Sequence, residues 1–186
     1  MPKVTEEHRT RRREEILDAA RRCFAQHGYG GATVARLEKE TGLSRGAIFN
    51  YFGSKDDLFM ALTERDADRI ADLWAERGFE GALEAIVDQD PAWLGVYVEA
   101  LQRIRTDAAF RKRWTRRGDR SYRTVGAALD AAREAGRIRE DMPSGTLSTY
   151  LGIVLDGLVL RAALGYPLPD REQLLSLVRQ GVAPPP

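Results

Sequence analysis

The chain has 186 residues, 43% of them hydrophobic and 31% charged, with a formal net charge of +1. That length accommodates one or two domains, and the composition is ordinary for a globular protein. A single cysteine, Cys23, excludes an intrachain disulfide, and the N-terminal MPKVTEEHRTRRREE has no apolar signal core. No run of about eighteen apolar residues reads as a membrane span, so a cytoplasmic protein without a membrane partner is expected.

The near-neutral total hides segregation: +2 over residues 1–57, −7 over 58–100, +8 over 101–139 and −2 over 140–186. Residues 1–8 are expected to form an arm, followed by a helix to about His27. Ile16, Ala20, Cys23, Phe24 and His27 share one helical face, and Gly28 ends it. Arg9, Arg11, Arg12 and Arg13 precede that face. They suit phosphate or minor-groove contacts, or equally a solvated basic start.

Thr33 to Leu58 organises the chain. Thr33 caps a short helix that Thr41-Gly42 stops, and Ser44 caps a second with Ala47 and Ile48 inward. Ser54-Lys55-Asp56-Asp57 is a capping box opening a third. Two short helices across a tight glycine turn form the DNA-binding helix-turn-helix. The third helix is expected from Lys55 to about Arg77. Leu58, Leu62, Ile70, Leu73 and Trp74 face inward and Asp66, Asp68, Asp72 and Glu76 outward. Gly78 ends it. A short helix near Gly81–Asp88 follows, with Leu83, Ile86 and Val87 inward.

Asp90-Pro91 opens a helix with Leu94, Tyr97, Val98, Leu101 and Ile104 on one face. Phe110, Trp114, Tyr122, Val125 and Leu129 then keep helical phase, which favours one long helix to Ala135 with a kink at Gly118. Pro143 opens a helix apolar over most of its circumference, expected to be buried on more than one side. A last helix, about Arg171 to Gly181, precedes a proline-rich tail. The pattern is all-α, about nine helices. A head over residues 1–54 carries the helix-turn-helix, and a helical domain spans 55–186, for which the resemblance given next implies effector binding and dimerisation.

Thr33, the Thr41-Gly42-Leu43-Ser44 turn, Gly46, Phe49-x-Tyr51-Phe52, Ser54-Lys55 and Leu58 resemble the TetR family of bacterial transcriptional regulators. The resemblance implies a homodimeric, ligand-responsive repressor on a double-stranded DNA operator. Phe49 departs from it, because many members carry Tyr there and its hydroxyl is absent here. Thr33, Ser44, Tyr51 and Lys55 are the expected phosphate contacts. Arg45, Gly46, Ala47, Phe49 and Asn50 lie on the second helix, where Arg45, Ala47 and Asn50 are placed to reach base edges. The apolar helix at 143–164 and the leucine-rich one after it are expected to pair two copies through Leu151, Leu155, Leu158, Leu174, Leu175 and Val178.

RRCFAQHGYGGATVARLE, SRGAIF and RTDAAFRKRW further resemble a branch of the family that represses aconitase and responds to citrate with a divalent cation. A cofactor of the protein's own is not expected. An effector site for a citrate–magnesium complex is expected from Glu99, Arg103, Arg105, Arg120, Tyr122, Tyr150 and Asp156, with magnesium near Glu99. The alternative reading of Glu99 and Arg103 is an exposed i, i+4 pair. An apolar effector would instead line Trp93, Tyr97, Trp114 and Tyr150. No phosphate loop, nucleophile elbow or structural zinc pattern is present, so an enzyme is not expected. A helical ligand-binding or scaffold protein without a DNA role is a further alternative. Membrane-surface binding through the basic 101–139 segment is weaker, because its aromatics keep core phase.

Overall fold

A computed structural model describes residues 6–185, apart from the side chains of Arg120 and Ser121. Among them nine helices and no strands are found: α1 Glu6–Gly31, α2 Val34–Thr41, α3 Arg45–Phe52, α4 Lys55–Val87, α5 Pro91–Thr106, α6 Ala108–Arg117, α7 Asp119–Glu134, α8 Ser144–Ala163 and α9 Arg171–Val182.

Gly78 breaks α4 where the sequence placed a helix end, its φ of 62° being open to glycine at little cost. The partition differs from the expected one further along the chain. The segment expected as one long helix is two, α6 and α7, meeting at Gly118. Phase alone misled there, because a helix can end and restart without losing register. Residues 1–5 of the expected arm lie outside the described residues, and Glu6 to His8 already belong to α1.

The first core packs Phe24, Leu37, Ile48 and Phe52 of the head and Leu58 and Phe59 of α4 against Trp93, Val96 and Ala100 of α5 and Phe110 of α6. It therefore runs across residue 54, and α5 and α6 form part of the floor on which the head rests. The second and third cores join α4, α7, α8 and α9 around Trp74, Leu83, Leu129, Leu147, Leu151, Leu158, Leu175 and Val178. On α5 the buried stripe is Trp93, Leu94, Val96 and Ala100. Leu101, expected inward, is exposed, as is Val87.

Asp66 is the sharpest departure from the expected α4 pattern. Expected on the outer face, it is 5% exposed. Its Oδ1 accepts from Arg21 Nη1 at 2.8 Å, and its Oδ2 from Trp93 Nε1 at 2.7 Å and the Tyr97 hydroxyl at 2.8 Å. Arg21 also bonds Gln89 and lies 4.6 Å from the Trp93 ring centroid. One carboxylate thus ties α1, α4 and α5 together, with both oxygens used, as a buried charge requires.

α8 also differs from expectation. By length and composition it is apolar enough to cross a membrane, with a mean hydropathy of 1.3, although only 22% of that stretch is buried within the chain. Leu147, Leu151 and Leu158 face the core, while Ile153, Leu160 and Leu164 are exposed.

Candidate nucleic-acid interface and effector cavity

The helix-turn-helix is built by its caps. Thr33 accepts from the Arg36 N–H at the start of α2, and Gly42 closes that helix at a φ of 68°. Ser44 accepts from the Ala47 N–H at the start of α3. Each such cap contributes about 1 kcal/mol. Glu38 of α2 accepts the Arg45 N–H at 2.6 Å, fixing the two helices across the turn. Ile48 and Phe52 anchor α3 in the core, which leaves Gly46 and Asn50 exposed away from it and Arg45 exposed at the helix start. Thr33 and Ser44 are exposed at the two helix starts, where free N–H groups favour phosphate. Ala47, Phe49 and Tyr51 are half-buried, and the two rings pack on the head core.

Lys55 sits differently from its expected role. Its Nζ donates to the Tyr29 carbonyl at 2.9 Å and lies 4.6 Å from that ring's centroid. The ammonium brackets the end of α1, so a phosphate contact would share it with Tyr29. In the basic start of α1, Arg12 and Arg13 pair with Glu15 and Glu14, and Arg9 and Arg11 are exposed.

Of the expected effector residues, Glu99, Arg103, Arg105 and Tyr150 are not brought to one site. Arg103 forks onto Asp56, with Nη1 and Nη2 each 2.8 Å from a carboxylate oxygen, and also reaches the Tyr29 hydroxyl and Asp107. Glu99 accepts the Tyr29 N–H at 2.8 Å and fills the space beside Gly28, where a Cβ would meet its Oε1 at 2.5 Å. A φ of 70° makes Gly28 doubly hard to replace. The two residues thus do not pair with each other, and neither lines the cavity between α4 and α8. Arg105 is exposed at the end of α5, and Tyr150 packs beside Gly181 of α9. The Arg120 side chain lies outside the described residues. Among those described, no cluster of three or more His, Cys, Asp or Glu is placed to hold a metal.

What Arg103 does instead is brace the head. Arg113 of α6 adds a second clasp, 2.5 Å from Asp57 in the same first turn of α4. The Arg103 hydrogen bonds hold Asp56 below its ordinary value of 3.8. A depressed carboxylate stabilises the fold fully above its unfolded value and loses that contribution as pH falls through the folded one. Asp56→Asn should therefore cost about 1–2 kcal/mol near pH 7, a figure lowered because both partners are about one-third exposed. The difference from wild type should stay level down to about pH 4 and shrink below it. Urea titrations at pH 7 and pH 3 check this.

A cavity of about 660 Å³ lies between α4, α5, α6, α7 and α8. Tyr122 and Asp156 line it, as expected, and so do Tyr97 and Trp114 of the apolar alternative. Trp93 does not, being buried in the first core. The remaining wall is mainly apolar, including Ile70, Trp74, Leu94, Leu101, Leu155 and Leu160, with Gln89, Ser148 and Arg117 as polar additions. Burial raises the Asp156 carboxyl, and Arg117 partly offsets this. Arg117 is not among the expected effector residues, although its place three residues after Trp114 sets it on the same helical face.

The expected dimer residues are corrected by burial. Leu151, Leu158, Leu175 and Val178 lie in this chain's own core, and Leu155 and Leu174 pack half-buried against it. A leucine stripe reads the same whether it meets its own chain or another. Among the described residues, the exposed large apolar groups on these helices are Tyr150, Ile153 and Leu160 of α8 and Leu177 of α9, with Leu164 just past the end of α8.

A family model for bacterial regulatory proteins of the tetR family matches residues 16–62, and one for the C-terminal part of BetI-type transcriptional repressors matches 75–184. The chain is 42% identical over 184 residues to the HTH-type transcriptional repressor AcnR of Corynebacterium diphtheriae, covering 98% of this chain and 97% of that one. It is also 42% identical over 185 residues to the HTH-type transcriptional repressor Rv1474c of Mycobacterium tuberculosis, covering 98% of each. Salmonella enterica GusR shares the fold, with a TM-score of 0.78 at 20% identity over 97% of this chain and 98% of that one. The helix-turn-helix, the helical body behind it and these matches agree that the chain belongs to the TetR family of DNA-binding transcriptional regulators.

Proposed function

We propose that the chain is a repressor of an aconitase gene, acting in the cytoplasm as a homodimer on a twofold operator and responding to a small molecule in the α4–α8 cavity. The observation that carries the target is the 42% identity to AcnR, which runs through both the head and the body. Dimerisation follows family habit, and here the exposed faces of α8 and α9 around Ile153 and Leu177 are proposed as the contact. A twofold pair sets two α3 helices about one DNA turn apart, roughly 34–36 Å. The effector implied by the resemblance, citrate carried with a divalent cation, would meet Arg117 and Asp156. These are the charged side chains that line the cavity among the described residues.

A gel shift with DNA from upstream of the aconitase gene of the source genome tests the target. Retardation that unrelated DNA does not compete away is expected at nanomolar protein and moderate salt. Equal affinity for both DNAs contradicts the assignment.

A further inference from the structure

The segment of net charge +8, residues 101–139, begins at the corner where α5 meets α6, and that corner lies against the head. Arg103 spans from Asp107, the cap of α6, to Asp56 and the Tyr29 hydroxyl, and Arg113 reaches Asp57. Asp56 and Asp57 belong to the first turn of α4 and directly follow Ser54 and Lys55, while Tyr29 lies just before Thr33. The corner therefore adjoins two of the helix starts expected to hold phosphates.

Carboxylates and cations do not balance there. Asp56, Asp57 and Asp107 are taken up by Arg103 and Arg113. Arg105 and Lys112 are exposed and pair with no carboxylate among the described residues. Arg111, also exposed, donates to the Ile104 and Arg105 carbonyls at the end of α5, at 3.2 and 3.4 Å. Phe110, by contrast, is buried, and Trp114 packs against the first core. A helix lying on a bilayer needs large apolar side chains on its outer face, and here they are turned inward. Exposed cations without an apolar anchor suit the phosphate backbone of a duplex.

We infer that the α5–α6 corner is a second DNA contact, in which Arg105, Arg111 and Lys112 reach sugar-phosphate backbone beside the stretch that α3 reads. The inference rests on the chain binding DNA as a repressor, and makes the body as well as the head part of the DNA-facing surface. Arg103 and Arg113 serve it indirectly, by neutralising two aspartates that would repel a phosphate beside Lys55. Contacts of this kind strengthen binding to any sequence and carry no base preference.

The test is a salt series of duplex binding by the full-length protein, on DNA from upstream of the aconitase gene and on unrelated DNA. Wild type is compared with Arg105→Gln/Lys112→Gln, with the charge-conserving Arg105→Lys/Lys112→Arg, and with Arg123→Gln/Arg137→Gln. The last pair removes exposed cations of the same basic segment that lie on α7 and just past it. On both DNAs the slope of log affinity against log salt should flatten by about two units in Arg105→Gln/Lys112→Gln, one phosphate per head of a dimer. The other two pairs should keep the wild-type slope, base preference should be intact in all, and thermal melts should match wild type. An unchanged slope in Arg105→Gln/Lys112→Gln, or equal flattening in Arg123→Gln/Arg137→Gln, overturns the inference. So does loss of binding to phosphatidylserine–phosphatidylcholine vesicles in Arg105→Gln/Lys112→Gln while the DNA slope holds, which gives the corner to a membrane. Wild type that binds both DNAs equally contradicts the aconitase target instead and leaves the slopes comparable, whereas wild type that binds neither overturns the repressor reading and the inference together.

Discussion

Asp66→Ala is expected to lower the unfolding free energy by about 3–5 kcal/mol, the usual loss when one partner of a buried ion pair is removed. The substitution leaves Arg21 without its carboxylate and strands the Trp93 N–H and the Tyr97 hydroxyl where water has little access. For a chain of this size the melting temperature should fall by about 10 °C. Asp66→Asn keeps an acceptor for one or two of the donors and should lose less. The effect should reach DNA binding as well, because the same carboxylate joins α1 of the head to α5 of the body. Thermal unfolding of the two variants beside wild type measures it. An Asp66→Ala protein within 1 kcal/mol of wild type would mean that the carboxylate is not holding the three helices together.

The second large effect concerns the dimer. Ile153→Glu with Leu177→Glu places carboxylates on positions 65% and 63% exposed in the single chain. Neither change disturbs the chain's own core, so the fold should persist while the pair separates. Sedimentation at micromolar protein should then give the monomer mass. Operator affinity should drop by about a hundredfold or more, since two linked heads gain from effective concentration what one head lacks. Leu158→Glu makes the contrast. Leu158 sits among Leu83, Ile86 and Leu175, so a carboxylate there should unfold the body rather than split a dimer. Should Ile153→Glu/Leu177→Glu remain dimeric, the pair is formed by another surface.

The residues that sequence placed well are those whose roles are local. A cap acts on an N–H two or three positions away, and a stop needs only a glycine, so Thr33, Gly42, Ser44 and the Ser54 box were legible in order. Ile48 followed from short-range period, while Phe52 entered only through the family resemblance. Asp66 was not legible, because an aspartate in the middle of a helix reads as solvated until Arg21, Trp93 and Tyr97 converge on it from 45, 27 and 31 residues away. Arg103 was drawn to the effector site by its charge, yet its partner is Asp56, 47 residues back. Arg117 lay in the same basic segment and was passed over, although its spacing from Trp114 was available. Leu151, Leu158, Leu175 and Val178 turn inward for a related reason: hydrophobic period says that a face is covered but does not name what covers it.

The most direct test of the head as a reader of base sequence is the binding of operator duplexes to wild type, Arg45→Ala and Asn50→Ala across a salt series. Both side chains are exposed, Arg45 at the first residue of α3 and Asn50 on the side away from the Ile48 and Phe52 anchors. Each variant should lose about 1–3 kcal/mol against the correct site and relax preference at one base pair in each half-site. Loss of Arg45 removes a cation at the DNA, so its salt slope should fall slightly, while that of Asn50→Ala should match wild type. Binding that weakens equally on operator and unrelated DNA in both variants, with base preference intact, would contradict the placement of α3 in the major groove.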